Sequence, residues 1–198
     1  VVRDARGARS ERMFSFIVKN RSLSGFIFFA VITFLLFRDG FSSYFIADEW
    51  FHFTHYFPLV GKPGGFLDAV LSPFFHADAL SSGEHITPVA SAIFFLNTKF
   101  FALNFAPYAF IALLSHAINS FLIFSIVMMY LDRYPKKIAY AILSALFFIT
   151  APNSTHVTTG AIPFYGENIL SVTFILICIF FFKLAHIKGD KKYLVFSL

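Results

Sequence analysis

The stretch ADEWFHFTH, residues 47–55, brings together the residue types with the most evident chemistry in the chain. On a helix, Asp48, His52 and His55 lie at positions i, i+4 and i+7, which is one face. A carboxylate on such a face is suited to accept a proton from an incoming hydroxyl group as a general base, and Glu49 completes an acidic pair. The same carboxylate and imidazole groups are suited to bind a divalent Mn, Zn or Fe ion. The alternative is an interfacial helix whose polar residues simply face water.

Three polar residues fall inside apolar runs. Polar groups at membrane depth raise the free energy of insertion and often have a function. His116 and Asn119 are one helical turn apart in the second long apolar run, and the alternative to a functional role is a hydrogen bond between helices. Lys99 interrupts a shorter apolar run. A lone ammonium there favours an anionic partner such as a phosphate, and the alternative is that the side chain extends to the membrane surface.

The composition predicts an integral membrane protein. Of the 198 residues, 58% are hydrophobic, 31 are Phe and only 14% are charged. Soluble domains have about 45–50% apolar and about 25% charged residues. These values exclude a disordered chain, a collagen-like chain and a nucleic-acid-binding domain with a solvated basic face. The single Cys178 excludes an intrachain disulfide framework and a cysteine-based zinc cluster.

Several apolar runs approach the roughly 20 residues that a spanning helix needs. We expect an all-α, polytopic transmembrane helix bundle in which the Phe runs FIFF, AIFF, ALFF and IFFF form lipid-facing surface. The predicted spans cover residues 22–41, 107–131, 138–151 and 168–187, and a truncated span starts at residue 193.

The basic residues are grouped, and their grouping predicts the topology. Thirteen of the 16 Lys and Arg residues lie before the first span, between the second and third, or at and after the end of the fourth. Basic loops stay in the cytoplasm, so segment 1–21 is expected there. We expect a multi-pass protein of a bacterial inner membrane. His156 and Glu167 then lie on the same outer side as Asp48; solvation is the better explanation for each of them singly, and their convergence on one side favours a functional role.

Residues 42–106 form a large outer loop in this topology. Two aromatic segments with helical apolar spacing are expected to lie as amphipathic helices at the membrane interface, with a turn of Gly and Pro at 61–65 between them. Pro88–Leu103 is apolar for 16 residues. We interpret it as re-entrant or interfacial, because a full crossing places the later basic clusters on the outer side.

The order of these features resembles the C-type glycosyltransferase (GT-C) superfamily of membrane enzymes. Within it, the chain is most similar to the N-terminal part of the protein O-mannosyltransferase-like group and of the related transferases that carry tetratricopeptide repeats. One matching stretch, HITPVASAIFFLNTKFFALNFAPYAFIALLSHAINSFLIF, begins at His85 and contains His116 and Asn119. A second, AILSALFFITAPNSTHVTTGAIPFYGENIL, contains His156 and Glu167. Thr87 and Glu167-Asn168 stand where the family often has arginine.

The resemblance implies a transferase that moves a sugar from a polyprenyl-phosphate donor to a hydroxyl group of a protein or glycan. Asp48 would be the catalytic base beside Glu49, and metal dependence varies across the superfamily. Donor binding would fall to a set of five residues: His85, Lys99, His116, His156 and Glu167. The fragment alone is expected to be inactive. Two alternatives remain, namely a transporter or flippase of lipid-linked intermediates and a non-catalytic membrane scaffold.

Overall fold

A computed structural model describes residues 23–42, 44–45, 48–75, 88–151 and 162–188. These residues form seven α-helices and a 3-10 helix at Arg38–Ser42, and none of them is in a strand. The all-helical prediction is therefore confirmed for this part of the chain. The helices are α1 (Leu23–Leu36), α2 (Asp48–Val60), α3 (Gly65–Phe75), α4 (Pro88–Phe101), α5 (Phe105–Tyr130), α6 (Lys137–Thr150) and α7 (Ile162–Lys188).

Helix α5 is the centre of the fold, because α1, α4, α6 and α7 all pack against it. Its start is fixed by Asn104, whose side chain accepts a hydrogen bond from the Ala106 N–H and so caps the helix. Helix α7 runs parallel to α5, since its Ile169 lies level with Asn119 and its Lys183 lies level with Tyr130.

Helix α6 packs closely on α5 through small residues. Its buried stripe is Ala141, Ala145 and Ile149, at a spacing of four residues, and all three are 0% exposed. Alanine at such positions lets two helices approach closely, which is a common way to associate helices in a membrane. The opposite face of α6 carries Leu143 and Phe147, which are 62% and 74% exposed.

Helix α1 lies antiparallel to α5. Phe29 and Thr33, with Phe37 directly after the helix, form its buried face, and the Phe29 ring is 5.5 Å from that of Phe124 on α5. Phe26 makes a second ring contact with Phe121, with centroids 5.9 Å apart. The prediction that all Phe of the FIFF run face lipid is therefore wrong, because Phe29 packs inward and is 1% exposed.

Helices α2, α3 and α4 form a separate layer at the end of the bundle where α5 begins. The turn from α2 to α3 requires glycine. Gly64 has φ +77°, and a Cβ on Gly65 would collide with the Leu59 carbonyl oxygen. In α4, Phe94 and Phe95 of the AIFF run are buried, so this run is a second exception to the lipid-facing prediction.

Among the described residues, two helices are long and apolar enough to cross a membrane: α5, and α7 over Ile169–Ile187. They correspond to the predicted spans at 107–131 and 168–187. Helices α1 and α6 are apolar but shorter. Helix α4 has 14 residues and a length of about 21 Å, which is less than the roughly 30 Å of hydrocarbon in a bilayer.

The close contact between α5 and α6 predicts a strong effect of side-chain size. Ala145→Leu should lower the free energy of unfolding in detergent by about 1–3 kcal/mol, because the added atoms meet a packed neighbour. Ala139→Leu is the matched control, since Ala139 lies on the exposed face of the same helix. Equal stability of the two variants would contradict this packing.

Candidate functional site

Asp48, the predicted base, is the first residue of α2, and Glu49 is the second. The side chains of Asp48, Glu49 and His52 lie outside the described part of the structure. A hydrogen bond from the first turn of α2 fixes the backbone that carries them relative to Phe45. The Trp50 indole N–H donates a 3.1 Å hydrogen bond to the Phe45 carbonyl oxygen, which closes the chain over the start of the helix.

An aromatic cluster joins this start of α2 to α4 and α5. Its members are Phe45, Trp50, Phe53, Tyr56, Phe94, Phe105 and Tyr108. The ring of Phe45 is 4.6 Å from that of Phe53 and 5.0 Å from that of Phe105. Phe53 in turn lies 5.2 Å from Phe94 on α4. Edge-on aromatic contacts of this kind stabilise a pair by about 0.5–1.5 kcal/mol beyond the buried area.

Tyr108 connects the cluster to the turn between α4 and α5. Its hydroxyl donates a 3.0 Å hydrogen bond to the Ala102 carbonyl oxygen and lies 3.4 Å from the Thr98 hydroxyl oxygen. Ala102 has φ 48°, a left-handed conformation that an alanine rarely adopts. The hydrogen bond from Tyr108 thus stabilises a turn that the sequence alone does not favour.

His55 is the one member of the predicted metal set whose side chain is described. It is half-buried against the Tyr56 ring at 5.0 Å, and its Nε2 atom has no hydrogen-bond partner among the described residues. Burial lowers the pKa of His55, because desolvation disfavours the charged imidazolium. No group of three His, Cys, Asp or Glu residues that could hold a metal ion occurs among the described residues.

The two cations of the loop differ in their surroundings. Lys62 forms an ion pair with Asp68 at 2.7 Å. Lys99, in the last turn of α4, is exposed and lies 5.9 Å from the centre of the Phe100 ring. Within the described segments, no carboxylate pairs with it. Its ammonium group is therefore accessible to an anion near the α4–α5 turn.

Glu167 lies in the first turns of α7, although its side chain is not described. Because α7 runs parallel to α5, these turns extend towards the α2–α4 layer, and α7 contacts both α2 and α4. The backbone positions of Asp48 and Lys99 thus lie at that end of the bundle, whereas Glu167, two residues before Ile169, lies closer to the level of Asn119. His85 and His156 lie outside the described residues.

His116 is apart from that end, in the interior of the bundle, and only 3% exposed. Its imidazole lies between the rings of Phe37 and Phe148, with centroid distances of 5.8 and 4.9 Å. The backbone of Ile149 on α6 lies within hydrogen-bonding reach of it. The structure thus gives His116 a place between helices, away from the exposed surface.

Asn119 makes the hydrogen bond between helices that was the alternative to a functional role. Its side-chain amide donates to the Ile169 carbonyl oxygen of α7 at 3.0 Å and is 0% exposed. Thr33, which the sequence did not single out, is also 0% exposed. The available signal was its position in an apolar run at a spacing of four residues from Phe29 and Phe37.

The opposite end of the bundle is basic. Lys183 of α7 lies over the Tyr130 ring at 4.3 Å, and Arg133 and Lys136 follow in the next turn of the chain. Lys137 is paired with Asp132 at 2.7 Å, and this hydrogen bond holds the pKa of the Asp132 carboxyl below its usual value. Basic side chains thus outnumber acidic ones at this end of the described structure, where Asp132 is paired with Lys137.

Comparison of the chain with protein-family models, with curated proteins and with solved structures gives no match. Function is therefore inferred from the residues and their geometry.

The aromatic cluster predicts that one ring controls the position of α2. Phe53→Ala should lower the free energy of unfolding by about 3–5 kcal/mol, because Phe53 is 1% exposed and contacts α4 and α5. Phe57→Ala is the matched control on the same helix, with a ring that is 41% exposed, and should cost much less. Similar losses in thermal or denaturant unfolding would argue against the cluster as the anchor.

Proposed function

We propose that the protein is a multi-pass membrane glycosyltransferase that transfers a sugar from a polyprenyl-phosphate donor to an acceptor hydroxyl group. The observation that carries the proposal is the position of α2. Its first residue, Asp48, begins a helix fixed by the aromatic cluster at the end of the bundle that also carries Lys99. The resemblance to the GT-C superfamily supplies the reaction class.

The proposed orientation places the N-terminus and the basic end in the cytoplasm. Arg133, Lys136 and Lys183 lie at that end, and α2–α4 form the outer layer as interfacial helices. The exposed apolar faces support this arrangement. Leu35 on α1, Phe147 on α6 and Phe182 on α7 are 64%, 74% and 59% exposed, as expected of side chains that contact lipid.

In the proposed reaction, Asp48 accepts the proton of the acceptor hydroxyl as its oxygen attacks the anomeric carbon. The bond from that carbon to the phosphate oxygen breaks on the opposite face, which inverts the configuration and releases the lipid phosphate. Lys99 is suited to hold the phosphate, since its ammonium group is exposed and has no carboxylate partner among the described residues.

The remaining donor-binding assignments differ in support. Glu167 belongs to a helix whose first turns approach the same end, and His85 and His156 stay sequence predictions. The burial of His116 favours a structural role for it. A divalent cation bound by Asp48, His52 and His55 stays a prediction, as does the protein or glycan nature of the acceptor.

The orientation can be tested with single cysteines in a Cys178→Ser background. Gly61→Cys should react with a membrane-impermeant maleimide on intact cells, because Gly61 lies in the exposed α2–α3 turn and an added Cβ meets no atom within 4 Å. Tyr134→Cys, at a residue that is 58% exposed, should react only after permeabilisation. The reverse pattern would refute the orientation.

The role of Asp48 can be tested by sugar transfer from a labelled polyprenyl-phosphate sugar in membranes that contain the full-length protein. Asp48→Asn should insert normally and lose transfer by about 100-fold or more, as expected for a lost general base. Asp68→Asn is the matched control, because Asp68 is an exposed acid of the same layer that pairs with Lys62. It should transfer at nearly the wild-type rate.

Two results would contradict the proposal. Equal transfer by wild type and Asp48→Asn would show that Asp48 is not the base. Wild-type protein that binds the lipid-linked sugar but transfers none would favour a transporter, in which Asp48 and Lys99 bind substrate without chemistry.

A further inference from the structure

Thr33 differs from many of the hydroxyl side chains in the described helices. Five of them donate to the carbonyl oxygen four residues earlier, at 2.8–3.0 Å: Thr98, Ser120, Ser125, Thr150 and Thr173. Thr33 is 0% exposed, and its Oγ1 has no hydrogen-bond partner among the described residues. Its hydroxyl group is therefore a buried donor without a partner in this part of the chain.

The ring contacts of its neighbours locate Thr33 against α5. Phe29 and Phe37 lie one turn before and after it on the same face of α1, and they contact Phe124 and His116. Thr33 thus faces the part of α5 between residues 116 and 124. That part carries Asn119, which is also 0% exposed.

His116 and Asn119 each present an unpaired acceptor in the same region. The Ile149 carbonyl, in the last turn of α6, has no partner within its helix and is the acceptor within reach of the imidazole. Nε2 has no partner among the described residues, so the nitrogen that donates to this carbonyl is Nδ1. With the proton on Nδ1, Nε2 is an acceptor. Asn119 Oδ1 is likewise buried and unpaired in this part of the chain, while its amide nitrogen donates to Ile169.

One buried donor and two buried acceptors match the hydrogen-bonding capacity of one small molecule. We propose that Thr33, His116 and Asn119 form an internal water site at the junction of α1, α5, α6 and α7. The water accepts from the Thr33 hydroxyl and donates to His116 Nε2 and Asn119 Oδ1. The three side chains are at most 3% exposed, so the ligand is a water and not a sugar or lipid headgroup.

This site gives His116 and Asn119 a role that is independent of sugar transfer. A buried polar group without a partner destabilises the fold, because it has lost its hydrogen bonds to water. A bridging water restores hydrogen bonds to all three groups and removes that destabilisation. The water also joins α1 to α5, between which no direct hydrogen bond occurs among the described residues of the two helices. The water site does not depend on the role of Asp48.

The test is water-to-histidine polarisation transfer by solid-state NMR on protein with ¹⁵N-labelled histidine in lipid bilayers. The His116 signal is assigned as the one absent from His116→Phe. In the wild type, Nε2 of His116 should be unprotonated and should receive magnetisation from water. Thr33→Ser, which keeps the hydroxyl, should retain the transfer, and the isosteric Thr33→Val should lose most of it.

Thermal unfolding provides the second measurement. Thr33→Val should lower the Tm relative to Thr33→Ser if the hydroxyl holds a water. It should raise the Tm if the hydroxyl is unpaired in a dry interior, because valine removes the unsatisfied group. A wild-type His116 Nε2 that is protonated or receives no transfer from water, or a Tm raised by valine, would overturn the proposal.

Discussion

Phe45 and Phe53 contact the first turns of α5. These contacts fix the positions of the helices that carry the described residues of the proposed site. Helix α2 has 13 residues and contains Pro58, so it is too short and too interrupted to be stable alone. Its position depends on burial of aromatic rings against Phe105 and Tyr108. The same rings hold α4 through Phe94, and Tyr108 stabilises the turn that follows Lys99. A base and a phosphate-binding cation on short helices need such an anchor.

Helix α5 meets two requirements that oppose each other. It is long and apolar enough to cross a membrane, yet its buried face carries His116, Asn119 and Ser120. Polar groups at these positions are tolerated because neighbouring backbone supplies partners, such as the Ile169 carbonyl for Asn119. Close approach of α6 through alanines buries the same face. The polar residues therefore select one arrangement of the neighbouring helices.

Sequence periodicity and hydropathy predicted where the helices occur better than which side of each helix is buried. The run predicted at 107–131 is α5, and the break after Leu103 is the turn before it. The Phe runs were predicted to face lipid throughout, but Phe29, Phe94 and Phe95 pack inward. Composition cannot separate a ring that faces lipid from one that faces a helix, since both surroundings are apolar. Thr33 was missed for a related reason, because its burial depends on how α1 packs on α5.

The length of α5 relates the aromatic cluster to the proposed membrane. Tyr130 and Lys183 mark the cytoplasmic interface in that orientation, since an exposed tyrosine beside a lysine is typical of the headgroup level. The 26 residues of α5 measure about 39 Å, which exceeds the hydrocarbon thickness of roughly 30 Å. In the proposed orientation, and with α5 near the membrane normal, its first turns, with Phe105 and Tyr108, extend into the outer headgroup layer. A lipid-linked sugar presents its phosphate at this level, where the proposed orientation places the start of α2.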